Sequence, residues 1–140
     1  MGYSYERREQ IFDKTSGKCH ICCGRLAWCN YGLFGERGAW EVEHSISKAL
    51  RGTDHLNNLY PAHISCNRSK STYSTKSTRS QYGRSKAPLS VTRRSQKKTD
   101  NAITGGLLGG ILGGIVAGRA GFAVGATIGA KAGYDRDPDW

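Results

Sequence analysis

Two pairs of soft ligands with one spacing, Cys19-x-x-Cys22 and His63-x-x-Cys66, bracket residues 19–66. A thiol pair three apart in a turn relaxed by Gly24 is one half of a zinc knuckle, and the second pair supplies the other half with one thiolate replaced by imidazole. Together they make a Cys3His zinc site. The chain needs such a staple, because residues 1–67 alone bury too little apolar surface to be comfortably stable. Structural zinc contributes on the order of 10 kcal/mol to the folding of small domains, comparable with their whole stability, so losing one ligand is expected to unfold this one. The opening Met1-Gly2-Tyr3-Ser4-Tyr5-Glu6-Arg7-Arg8 has no apolar stretch. No secretory signal is therefore read, and a cytoplasmic setting favours metal over disulfide for the five cysteines. Cys23 and Cys29 are read as small buried residues, the other reading making one of them an alternative zinc ligand. His20 and His55 receive surface or supporting roles.

The hydrophobic pattern predicts a small α+β domain. Residues 3–14 read as a short helix lying across the zinc site and stopping at Gly17. Alternation over residues 39–43, with Trp40 and Val42 on one face, predicts a half-buried strand, and residues 58–60 pair back with it. Pro61 suits the entrance to a helix over residues 63–73. On that helix His63 and Cys66 share a face while Asn67 is turned about 100° away, free to reach the strands.

Between the ligand pairs lie Glu43-His44, Asn58 and Asn67. They supply a carboxylate, a neutral imidazole and an amide oxygen, the set that metal-assisted phosphodiester hydrolysis needs. With Gly17-Lys18-Cys19-x-x-Cys22, Asn58-Leu59 and Cys66-Asn67-x-x-Lys70 in this order, residues 5–72 resemble the HNH nuclease family. The resemblance implies a ββα-metal fold, a two-stranded hairpin on one helix around a divalent ion. It makes His44 the general base, Glu43 and Asn67 ligands of a catalytic Mg²⁺ or Mn²⁺, and Asn58 the orienting asparagine, with DNA as substrate. The chain departs from the family pattern twice: Glu43 stands where Asp is usual and His63 where a second Cys is usual. Arg68 and Lys70 on the helix, and Arg51 in the preceding loop, are the candidate DNA contacts.

Charge is unevenly spread. Residues 68–99 carry ten Lys or Arg, no Asp or Glu, and thirteen Ser or Thr, so the whole formal excess of +10 sits there. Lacking an apolar face, this stretch is expected to be a disordered basic linker that tracks phosphates. Beyond it, glycines at 105, 109 and 113, at 106, 110, 114 and 118, and at 121, 125, 129 and 133 recur every four residues. Such spacing keeps glycine on one side of a helix and lets another backbone approach, and it resembles a glycine zipper. The eleven glycines would cost a soluble isolated helix roughly 10 kcal/mol relative to alanine, so close packing or lipid must compensate. A hairpin turning at Arg119, inserting in a membrane or self-associating, is expected, with Trp140 at an interface.

The predicted organisation is therefore an HNH domain over 1–72, a basic linker over 73–101, a glycine-zipper segment over 102–134 and a polar tail over 135–140. The first functional reading is a metal-dependent, DNA-nicking HNH endonuclease associated with a membrane, in a phage-defence or toxin role. Its rivals are a non-catalytic zinc-stapled DNA-binding module and a membrane-active glycine-zipper protein.

Overall fold

The computed structural model describes residues 2–136 and Pro138, so the expected interfacial role of Trp140 lies outside the described residues. The chain divides into two compact units, residues 1–91 and 92–140. In the first, the order is α1 (Tyr5–Asp13), β1 (Trp40–His44), β2 (Leu59–His63), α2 (Ile64–Lys70) and α3 (Thr75–Gln81). The helix α1 starts where Ser4 accepts a hydrogen bond from the Arg7 amide, and it buries Ile11. Phe12 meets Trp28 edge-on at 5.2 Å and Trp40 at 5.0 Å, and Tyr31 closes on Trp40 at 4.8 Å, so α1 packs on an aromatic cluster.

The strands pair antiparallel, from Trp40 opposite His63 to His44 opposite Leu59. Pro61 thus lies inside β2 opposite Val42 and not at a helix entrance. A two-stranded sheet is all edge, and a missing amide donor is tolerated there. The helix after β2 is shorter than the pattern predicts. It begins after His63 and ends at Ser71, whose φ of 50° breaks it. Burial along β1 also departs from simple alternation: Trp40 and Glu43 are fully enclosed while Val42 is only partly so.

The basic segment is not the disordered linker expected: it holds α3, and from Val91 onward it opens a long helix. The Ser74 hydroxyl caps α3, and Thr75, Thr78 and Arg79 are buried against the first unit. Arg79 Nε donates to the His20 carbonyl at 2.9 Å, and Ser16 Oγ to the Leu89 carbonyl at 2.8 Å. Polar side chains anchored to main-chain carbonyls replace the apolar face whose absence suggested disorder.

The second unit is a helical hairpin within α4 (Val91–Asp135), broken at Ala117 (φ −136°) and Gly118 (φ 62°). The turn precedes Arg119, because the left-handed backbone falls on Gly118. A β-carbon on Gly105, Gly109 or Gly113 would collide with the carbonyl of Gly129, Gly125 or Gly121 respectively. The two arms therefore meet backbone to backbone. Their outer faces leave Leu107, Leu108, Ile111, Leu112, Ile115 and Val116 exposed.

Candidate active site and metal centre

The knuckle and the β2–α2 junction bring Cys19, Cys22, His63 and Cys66 together, with their ligand atoms all within 4.8 Å of one another. A tetrahedral zinc with bonds of about 2.3 Å to sulfur sets neighbouring sulfurs roughly 3.8 Å apart, so the donor set fits the ion. Cys22 Sγ lies 3.3 Å from His63 Nδ1, and His63 Nε2 lies 3.1 Å from the Arg25 carbonyl. Nδ1 would thus bind the metal while Nε2–H donates to Arg25, which fixes the tautomer and the ring. Amides of Gly24 and His63 point at Cys22 and Cys19 sulfurs, at 3.4 and 3.3 Å. The three thiols share hydrogen bonds, which hold Cys22 well below the ordinary thiol range and push Cys19 and Cys66 up. The left-handed residue of the knuckle is Cys23 (φ 63°). Gly24 serves a different end: a β-carbon there would sit 3.0 Å from His63 Cε1, crowding a ligand. Bound zinc would supply a crosslink between residues 19 and 66, around which Ile21, Leu26 and Ala62 pack.

His44, Asn67, Arg68 and Lys70 line one open cleft of about 310 Å³, joined by Ser47, Lys48 and Ser71. Asn58 stands behind it as a clamp. Its Oδ1 accepts from the Ile46 amide at 2.7 Å, and its Nδ2 donates to the carbonyls of Ile46 and Thr53 at 3.1 and 2.9 Å. Both ends of the loop between the strands are thereby held next to His44. Arg51 lines a separate hollow with Asn58 and Gly52, so it is not gathered with the other candidates.

Glu43 faces the interior. Oε2 lies 3.1 Å from His20 Nδ1, while Oε1 accepts from Thr75 Oγ1 at 2.7 Å and pairs with Lys70 Nζ at 3.3 Å. Burial opposes the carboxylate charge, but His20, Thr75 and Lys70 outweigh it and hold the group below its ordinary value. Burial in turn pushes the His20 imidazole down, against the pull of Glu43. Asn67 Nδ2 donates to Glu41 Oε1 at 2.9 Å. In this arrangement Glu43 and Asn67 do not fit a shared divalent ion, since both carboxylate oxygens are engaged by other side chains. Lys70 differs from expectation too: it is 1% exposed, and its ammonium donates to the His44 carbonyl at 3.0 Å. Arg68, stacked on Phe34 at 4.5 Å, is the cation left to face a ligand from α2.

Sequence reasoning missed Asp54, Lys48, Tyr3 and Thr75, which complete the surroundings of His44 and Glu43. None sits at a ligand or helical spacing from its partner, so only the fold brings them in.

Residues 19–72 match the family model described as HNH endonuclease, and residues 65–140 match the YMGG-like Gly-zipper model. No curated protein and no solved structure matches the chain. The HNH match supports a nuclease-type function, nucleic-acid binding and the use of divalent metal. The second match spans more than half of the residues and takes in the whole helical hairpin. The chain carries an HNH endonuclease domain in its N-terminal part and belongs to the YMGG-like Gly-zipper family.

Proposed function

We propose that this protein is a metal-dependent endonuclease that nicks DNA by hydrolysing phosphodiester bonds. The observation that carries the reading is the cleft in which His44 stands beside Lys48, Asn67 and Arg68. It pairs a proton acceptor with groups that hold a phosphate. His44 takes a proton from water as the water oxygen bonds to phosphorus. The bond from phosphorus to the 3′-oxygen breaks, and that oxygen leaves and takes a proton from solvent, giving 5′-phosphate and 3′-hydroxyl ends. Mg²⁺ or Mn²⁺ is the cofactor that the HNH match brings to this reading.

Incubating supercoiled plasmid with the zinc-loaded full chain, with and without added Mg²⁺, tests the proposal. Nicked circles that need Mg²⁺ and vanish in His44→Ala are the expected result. Retained DNA binding with no nicking under any divalent ion would refute it and leave a zinc-stapled DNA-binding module, a reading that the enclosed Glu43 favours.

The hairpin supports membrane association of the same protein. Its first arm belongs to a helix, Val91–Gly118, whose most apolar 18 residues are long and apolar enough to cross a membrane, with a mean hydropathy of 1.4 and 6% of that stretch buried. A nuclease held at a membrane suits a phage-exclusion factor or a delivered toxin. Recovery of the full chain wholly in the soluble fraction, as a monomer, would overturn this part. Leakage of vesicles by the full chain, without nicking, would favour a membrane-active protein instead.

A further inference from the structure

Asp54 sits within the loop that Asn58 clamps, one residue beyond the Thr53 carbonyl that Asn58 holds. Its Oδ1 lies 2.8 Å from His44 Nε2 and accepts from the Tyr3 hydroxyl at 3.0 Å. Its Oδ2 accepts from Lys48 Nζ at 2.7 Å, and its main-chain carbonyl from Arg7 at 3.0 Å. Tyr3 and Lys48 therefore fix the carboxylate against the His44 ring nitrogen, and Arg7 holds the main chain of the same residue. The loop tether adds a further constraint, so Asp54 is oriented although its side chain is 55% exposed.

We propose that Asp54 is the positioning residue of the His44 base, holding the proton on Nε2 so that Nδ1 is the nitrogen that receives the proton of water. The inference rests on His44 being the base. An ionised carboxylate can only accept, so the ring nitrogen it meets must carry hydrogen, and the lone pair is left on the other nitrogen. The carboxylate is kept ionised: Lys48 first, then His44 and Tyr3, hold Asp54 well below the usual carboxylate range. Tyr3 reports the same charge, its hydroxyl pushed up to about 12 by burial and then by Asp54. No hydrogen bond to His44 Nδ1 is present among the described residues, and His44 lines the cleft where a phosphate would sit. When water gives its proton to Nδ1, the Nε2 proton stays shared with Asp54, and the positive ring finds a carboxylate already in place. Asp54 itself never touches the substrate.

The test uses the zinc-loaded full chain with ¹⁵N-labelled histidine. Long-range proton–nitrogen correlation reads which ring nitrogen of His44 carries hydrogen, and plasmid nicking reads the rate. The wild type is expected to show the Nε2–H tautomer. In Asp54→Ala the two tautomers should mix and kcat should fall roughly 10- to 100-fold with KM little changed. Asp54→Asn, whose amide oxygen is drawn to the Lys48 ammonium and whose NH2 then faces Nε2, should favour the opposite tautomer and lower the rate at least as far as Asp54→Ala. Unchanged tautomer and rate in Asp54→Ala, alongside lost nicking in His44→Ala, would overturn the role of Asp54 alone. Full nicking in His44→Ala would overturn the base assignment and the positioning role with it. Zinc content and circular dichroism equal to wild type exclude misfolding of the variants.

Discussion

At the scale of single residues the decisive group is Glu43, a fully enclosed carboxylate touched by His20, Thr75 and Lys70. Replacing it with Gln would leave the buried Lys70 ammonium without its counter-charge. Breaking a buried pair by removing one partner costs about 3–5 kcal/mol, more than a cavity-neutral amide could return. Glu43→Gln is therefore expected to lower stability by an amount of that order, read as the urea unfolding midpoint with zinc in excess. The pH dependence has a definite sign. The folded carboxylate titrates below its unfolded counterpart, so its contribution is whole above about pH 4.3 and fades as pH falls through the folded value. The gap between wild type and variant should be level from about pH 8 to pH 5 and close in acid. A gap that instead widened in acid would mean that Glu43 is protonated in the native state. The Cys/His cluster was readable beforehand because a shared ion would impose a short spacing, as at Cys19 and Cys22. Glu43 meets His20 and Thr75 across 23 and 32 residues, and no local period links such partners.

At the scale of elements, the knuckle, the β1–β2 hairpin and α2 were foreseeable in kind, but their limits were not. Each boundary moved for a tertiary reason: Pro61 entered β2 because the sheet has only two strands, and α2 stopped at Ser71. The helix α3 was missed because its buried side chains are polar, Thr75, Thr78 and Arg79, and a hydrophobicity reading passes over them. Two substitutions separate what zinc and α3 contribute. Cys66→Ser removes one ligand from a site on which Ile21 and Ala62 pack, so the first unit should lose cooperative unfolding and bind zinc weakly. Thr75→Val keeps the shape and removes the hydroxyl from Glu43 Oε1, at a cost of about 1–3 kcal/mol for a charged acceptor left short of a donor. Thermal melting with zinc present should show a shifted but still cooperative transition for Thr75→Val and none for Cys66→Ser. Equal behaviour of the two would mean that the metal is not the staple.

At the scale of the whole molecule, two physical regimes share one chain. Residues 1–91 combine a Cys/His cluster that fits zinc with aromatic packing and buried polar contacts, whereas the hairpin has little interior beyond glycine against glycine. Its arms approach so closely that glycine is the only residue that fits at the crossings, which is why period four was readable from sequence while the turn residue was not. The outer surface is apolar, and water gives it no reason to stay monomeric. A bilayer does, because lipid covers the outer faces and leaves the backbone contact to hold the arms together. Gly109→Leu tests this division. The new side chain would meet the Gly125 carbonyl and force the arms apart, while nothing in the first unit is altered. The expected outcome is loss of hairpin packing, seen as reduced protection of Gly109 and Gly125 neighbours from hydrogen exchange in vesicles, with zinc binding and plasmid nicking at wild-type levels. If nicking fell as far as protection did, the hairpin would be part of the nuclease rather than its tether, and the two regimes would be one.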